Sequence, residues 1–212
     1  MTGRWNKLDN SCKSYSLVIG LGLLAGIITR LSDLFPYDNL WSFSSIATLF
    51  GFWMLTVTLV IYFSSSNINA AINVLLYLFG MNFSFYFLKY ILGFFIPRFY
   101  NEGFQWDLFI LYNVFALVCS AFGYVLYFWN KGNKLSNFLY ALPVSGLAAE
   151  TIGVSIYFYK NHTFLFQLIF NFISLSILCC WFYKKANNKL IYLMTIVAVS
   201  LIGYFLVYHP FL

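Results

Sequence analysis

Charge is what this sequence has least of. Asp, Glu, Lys and Arg together make up 8% of its 212 residues, against roughly 25% in a soluble domain. With 62% of the residues hydrophobic, too little polar surface exists to cover a water-soluble fold, so that class is excluded. Histidine is nearly absent: only His162 and His209 occur. Zinc chemistry needs several His, Asp or Glu at ligand spacing, so no metal site and no cofactor are expected. No Ser or Cys has a His near it in depth, and no catalytic residue is nominated. The four cysteines, Cys12, Cys119, Cys179 and Cys180, fall in a tail or within apolar runs, where disulfides are not expected and free thiols act as small hydrophobes. Acylation of Cys179 or Cys180 near a span end is the competing reading.

Aromatic residues are abundant at 23%, with 26 Phe and 17 Tyr, and apolar runs repeat along the whole chain. A bilayer core about 30 Å thick needs roughly 20 apolar helical residues, and backbone facing lipid must bond within its own segment. The expected fold is therefore all-α, a polytopic transmembrane helical bundle forming a single membrane domain over residues 1–212. Seven spans are expected, at residues 15–34, 41–64, 68–97, 106–129, 135–159, 163–183 and 190–208, and the boundaries admit six to eight. The first run also begins as a secretory signal would, after Arg4, Lys7 and Lys13. It continues at spanning length to Leu34 without a small-residue cleavage site, which favours a first spanning helix. The third run, about 45 Å if helical throughout, must tilt, bend near Gly80 or Gly93, or project; a re-entrant pair is the alternative.

The loop charges give an orientation. With the N-terminus cytoplasmic, Arg4, Lys7, Lys13, Lys131, Lys134, Lys184, Lys185 and Lys189 lie inside, and Arg30, Arg98 and Lys160 lie outside. Eight basic residues against three follow the positive-inside rule and put the C-terminus outside. Scattered in this way, the net charge of +6 reflects topology and does not point to nucleic acid. The outer loops collect Asp33, Asp38, Glu102 and Asp107, with Trp41 and Trp106 at the interface. These acids read as a solvated rim. The richness in Phe, Tyr, Ile, Asn and Lys points to an AT-rich genome, hence to the plasma membrane of a low-GC bacterium. An echo between residues 22–26 and 146–150, in spans of the same direction, is a weak sign of duplication.

Two charges fall deep inside spans, where each costs at least about 2.5 to 3.5 kcal/mol and so marks function or a structural pair. They are Lys89 on the third span and Glu150 on the fifth, at similar depth. At 100° per residue Lys89 shares a face with Asn82, Tyr86 and Gly93, opposite Asn73, Tyr77, Gly80 and Ser84. Glu150 stands between Gly146 and Gly153, with Pro143 and Tyr157 on the same face, so its surroundings are small or leave room. Asn113 on the fourth span, with Ser120 and Tyr124, and Gln167 and Asn171 on the sixth, with Ser174, form further polar stripes. Gly22, Gly26 and Thr29 read as a packing face on the first. The candidate ligand or ion site is thus Glu150, Lys89, Asn82, Tyr86, Asn113, Gln167 and Asn171. A buried Lys89–Glu150 pair that only fixes helix register is the structural alternative, and the amides equally serve to bond neighbouring helices.

Three functions follow from these parts. The first is a small transporter or solute-binding membrane component, taking a small solute, proton or cation. The second is an accessory or assembly subunit that binds a membrane protein partner or a second copy of itself. Catalysis stands last, because the membrane holds one acid and one lysine and no further acid–base pair.

Overall fold

The computed structural model describes residues 8–97, 103–132 and 134–211. Arg4, Lys7, Arg98 and Glu102 lie outside the described residues. Among the described residues the fold is all-helical apart from one isolated bridge between Leu8 and Ser64. Eight α-helices follow in order: α1 Cys12–Ser32, α2 Ser45–Thr48, α3 Gly51–Phe63, α4 Asn67–Gly93, α5 Trp106–Leu126, α6 Lys134–Asn161, α7 Leu165–Lys185 and α8 Lys189–Gly203. A 3-10 turn, Tyr127–Lys131, extends α5, and a π-turn, Tyr204–Tyr208, extends α8. Six segments are long and apolar enough to cross a membrane: Cys12–Ser32, Asn67–Gly93, Trp106–Lys131, Leu135–Asn161, Leu165–Lys185 and Lys189–Tyr208.

The second expected span is where sequence and structure part. Residues 41–64 do not form one helix. After the single turn of α2 the chain extends at Leu49 (φ −102°, ψ 155°), and α3 then runs 13 residues, about 20 Å. Local polar groups compete with the helix for backbone partners here. Ser42 Oγ donates to the carbonyls of Tyr37 and Asn39, while the Asn39 side chain accepts from Ser42 N at 2.6 Å. The third expected span, 68–97, is one helix that stops four residues short of its expected end: α4 runs 27 residues without a break at Gly80 and ends at Gly93, so the re-entrant pair is not formed.

The chain divides into two compact units. The first comprises Met1–Leu31 and Leu59–Tyr127. Its seam is the contact of α1 with α4, where backbones approach too closely for any side chain. A β-carbon on Gly22 would strike the Tyr77 carbonyl, one on Gly26 would strike the Met81 carbonyl and Ser84 Oγ, and one on Gly80 would stand 2.8 Å from the Ile19 carbonyl. Ser84 Oγ closes the seam by donating to the Leu23 carbonyl at 2.8 Å. This is small-residue packing of the kind that holds helices together in lipid, where no hydrophobic force acts between them. On the other side of α4, Ser120 of α5 donates to the Ala71 carbonyl at 2.8 Å, and Asn67 donates to the Tyr124 carbonyl at 2.8 Å. Asn69 Oδ1 accepts from Asn73 Nδ2 at 3.0 Å beneath the N-cap of α4, Ser66. Outside the membrane segments, hydroxyl bonds from Ser11 and Ser14 hold the Asp9 carboxyl below the usual carboxylate range.

The second unit comprises Ser32–Thr58 and Phe128–Leu212. Here α6 packs against α7 and α8. Trp129, Tyr140 and Phe182 pack with ring centroids 5.2 to 5.5 Å apart. Asn137 Oδ1 accepts from Asn188 N at 3.1 Å, and the Asn188 side chain in turn caps α8. The irregular chain before α2 is bonded to the start of α7: Leu165 N donates to the Leu40 carbonyl at 3.0 Å and Phe166 N to the Trp41 carbonyl at 3.3 Å. Pro143 sits inside α6 and withdraws one helical bond, leaving the Leu139 carbonyl without its usual donor.

The α1–α4 seam gives a paired test. Gly26→Val forces a branched side chain into the Met81 backbone and is expected to lower stability by roughly 1 to 3 kcal/mol, a fall of several degrees in the melting temperature of the purified protein in detergent. Gly20 has nothing within 4 Å of its would-be β-carbon, so Gly20→Ala is expected to leave the melting temperature unchanged or slightly raised. Equal effects of the two substitutions would refute the seam.

Candidate functional site

Glu150 is fully buried, at 0% exposure, near the middle of α6. Its carboxylate is met from three other parts of the second unit. Oε1 accepts from Gly51 N at 2.8 Å, from Gln167 Nε2 at 3.0 Å and from Asn171 Nδ2 at 3.1 Å. Tyr208 OH donates to Oε2 at 3.1 Å. Gln167 Nε2 also donates to Asn171 Oδ1 at 2.9 Å, which ties the two amides together one helical turn apart on α7.

Each partner has a local reason to be there. Gly51 is the first residue of α3, where the backbone N–H groups have no carbonyl one turn earlier to bond. The carboxylate takes one of them, and the positive end of the α3 dipole adds to the attraction. A larger residue would displace the network, because a β-carbon on Gly51 would collide with Asn171 Oδ1 and lie 2.6 Å from Glu150 Oε1. Tyr208 closes the π-turn after α8, a wider coil that is often found at functional sites. The gaps at Gly146 and Gly153 are filled, not open: their would-be β-carbons lie 2.8 Å from Met54 Sδ and 2.9 Å from the Tyr208 ring. The small residues of α6 therefore admit the side chains that surround the acid. Hydrogen bonds to a charged group contribute about 1.5 to 3 kcal/mol each, and four of them offset much of the cost of burying the carboxylate.

Of the seven residues nominated from sequence, the structure brings three together: Glu150, Gln167 and Asn171. The other four belong to the first unit. Lys89 is half-buried, and its Nζ donates to Gln105 Oε1 at 2.7 Å. Tyr86 is buried among the rings of Phe104, Phe109 and Tyr112, with centroids 6.1 to 6.5 Å away. Asn82 is buried with its Nδ2 unbonded, and Asn113 gives Nδ2 to the Phe109 carbonyl at 2.7 Å while its Oδ1 has no donor. Gly51 and Tyr208 escaped the sequence reading. The cluster Ser42, Ser44, Ser45 and Gly51 inside an apolar run is the signal that marks the helix break. Nothing in the sequence marks Tyr208.

No family model, characterised protein or solved structure matches this chain, so the chemistry of the site itself carries the functional argument. Six helices long and apolar enough to cross a membrane are consistent with a multi-spanning membrane protein. Within that body stands a buried carboxylate held by a helix N-terminus, two amides and a phenol. Such an arrangement fixes the acid in place.

The network predicts a graded response. Tyr208→Phe removes one bond to a charged group and is expected to cost about 1.5 to 3 kcal/mol, lowering the melting temperature by roughly 3 to 10 °C. Gly51→Ala displaces three side chains at once, those of Glu150, Gln167 and Asn171, and is expected to cost more. If thermal unfolding shows Gly51→Ala milder than Tyr208→Phe, Gly51 is not the contact described.

Proposed function

We propose that the protein is a small transporter or solute-binding component of the membrane, with its intramembrane polar site at Glu150, Gln167 and Asn171. The observation that carries this reading is the broken second segment whose new helix starts on the buried carboxylate, Gly51 N to Glu150 Oε1 at 2.8 Å. Non-helical backbone at membrane depth is tolerated where it is buried in protein or lines a cavity. Interrupted helices whose ends point at charged groups are how many transporters build substrate and ion sites. In this reading Glu150 is the group that couples an ion to the solute, and the segment before Gly51 is the part that yields.

The same reading has seven crossings, N-terminus inside and C-terminus outside, in the plasma membrane of a low-GC bacterium. The second crossing is then made jointly by the irregular chain, α2 and α3. Charge supports it. If residues 41–64 did not cross, the basic residues would divide five inside (Arg4, Lys7, Lys13, Arg98, Lys160) and six outside (Arg30, Lys131, Lys134, Lys184, Lys185, Lys189), and the positive-inside bias would vanish. Single cysteines placed beside Lys131 and beside Lys160, with the native thiols removed, are expected to react with impermeant reagents from opposite faces. The same-side test for a crossing at 41–64 is a cysteine beside Lys13 and one beside Lys131: both are expected to label from the cytoplasm, and opposite labelling would rule out seven crossings.

Glu150→Gln keeps an oxygen for the three donors on Oε1 and removes the charge. The variant is expected to insert and to remain monodisperse in detergent. Against a panel of amino acids, sugars, nucleosides and organic acids, it is expected to lose the thermal stabilisation that a bound solute gives the wild-type protein. Unchanged solute stabilisation in Glu150→Gln would defeat the reading. Copurification of a stable membrane partner, with solute binding absent in both forms, would instead make the protein an accessory subunit.

A further inference from the structure

The hydrogen bonds around Glu150 leave oxygen atoms in excess. Gln167 spends both amide hydrogens, on Glu150 Oε1 and Asn171 Oδ1. Its own carbonyl oxygen is buried and has no donor among the described residues. Exchanging the nitrogen and oxygen of that amide gives no remedy, because the oxygen would then face two other oxygens. The whole Gln167 side chain is at 0% exposure, so solvent at the surface does not serve it. Its carbonyl is one amide group away from the nitrogen that touches the carboxylate.

Other oxygens of the same unit share this condition. The hydroxyls of Ser44 and Ser45 are buried without a partner among the described residues, in the segment whose Phe43 ring packs 4.9 Å from that of Phe166, the residue before Gln167. Because α2 stops at Thr48 and α3 begins at Gly51, the carbonyls of residues 46 to 49 receive no loop or turn hydrogen bond from a described backbone N–H. A carboxylate and an amide carbonyl stand at the site, and hydroxyls and unladdered carbonyls line the segment that leads to Gly51, all of them hard oxygen donors. Soft or borderline metals favour sulfur and imidazole, and no three of His, Cys, Asp and Glu come together among the described residues. Calcium sites draw on several carboxylates, whereas one carboxylate balances one positive charge.

We infer that the Glu150 site binds a dehydrated alkali-metal cation of sodium's type, with the Glu150 carboxylate supplying the opposite charge and the Gln167 carbonyl oxygen a ligand. The inference rests on the transporter reading in naming the coupling ion, but ion binding is measured without any solute. Buried charges are normally paired or hold a metal ion, and interrupted membrane helices supply freed carbonyls to sodium in this way.

The test uses the full chain in detergent. Its melting temperature is measured in sodium chloride and in choline chloride at equal ionic strength, and binding of radioactive sodium is measured directly on the wild-type protein. A saturable upward shift is expected in sodium alone, roughly 5 to 10 °C at a hundred times the dissociation constant, together with sodium binding that unlabelled sodium displaces and choline does not. Glu150→Gln and Gln167→Leu are each expected to abolish the shift. If either fails to fold, the direct binding measurement on the wild type decides. Equal melting in the two salts with no saturable binding overturns the inference, and so does a sodium shift that survives both substitutions. Solute binding that depends on Glu150 without any response to sodium would leave the transporter reading standing and remove only the cation. Sodium binding lost in Glu150→Gln, with no solute recognised by either form, would do the reverse.

Discussion

The N–H of Gly51 goes to a side-chain carboxylate instead of a carbonyl one turn earlier, and much of the second unit depends on that exchange. A helix that ran unbroken from residue 41 would use this N–H internally and leave Glu150 with one donor fewer in a region without water. Breaking the helix costs backbone hydrogen bonds, and anchoring the acid recovers part of that cost. The acid and the break therefore stabilise one another. Glycines at 51 and 153 are what let the Gly51 N–H and Tyr208 reach the carboxylate at bonding distance.

The first unit solves a different problem with similar means. Along α1 and α4, glycines at 22, 26 and 80 bring the two backbones together, and Ser84 bonds across the seam. Close approach gives dispersion contacts and a few polar bonds, which are the terms left to hold helices together in lipid. Arg30, in the last turn of α1, is buried with its Nε on the Phe85 carbonyl at 3.2 Å and its guanidinium 3.7 Å from the centre of the Phe85 ring. A charge counted from sequence as part of a loop is thus held by a carbonyl and a ring face. Glycine serves two ends in this protein: packing backbone on backbone in one unit, and admitting polar groups to an acid in the other.

The proposed function of the second unit rests on what the network does not satisfy as much as on what it does. The donors converge on Oε1, the amide of Gln167 is used up on its nitrogen side, and the remaining oxygens lack partners. A site built only to fix helix register would gain by pairing every group, since each buried unpaired polar atom costs about 1 to 3 kcal/mol. This excess of oxygen is what the proposed cation would answer.

Composition and periodicity alone determined the all-helical class, six helices long and apolar enough to cross a membrane, and the polar stripe of Gln167 and Asn171, because length, hydropathy and the 100° turn per residue are properties of a single helix. Glu150 was legible for the same reason: one acid in an apolar run stands out without knowledge of its neighbours. The break at residues 49–50 left only a faint mark, the cluster Ser42, Ser44, Ser45 and Gly51, because 41–64 is apolar enough to span and the carboxylate that takes Gly51 N lies 99 residues later. Tyr208 was invisible for a similar reason, since a tyrosine at a span end ordinarily marks the interface, and the π-turn that aims it at Glu150 arises from packing on α6. Which polar residues share a site was likewise decided by tertiary structure: helical faces can be read from spacing, but which face meets which depends on how the helices pack.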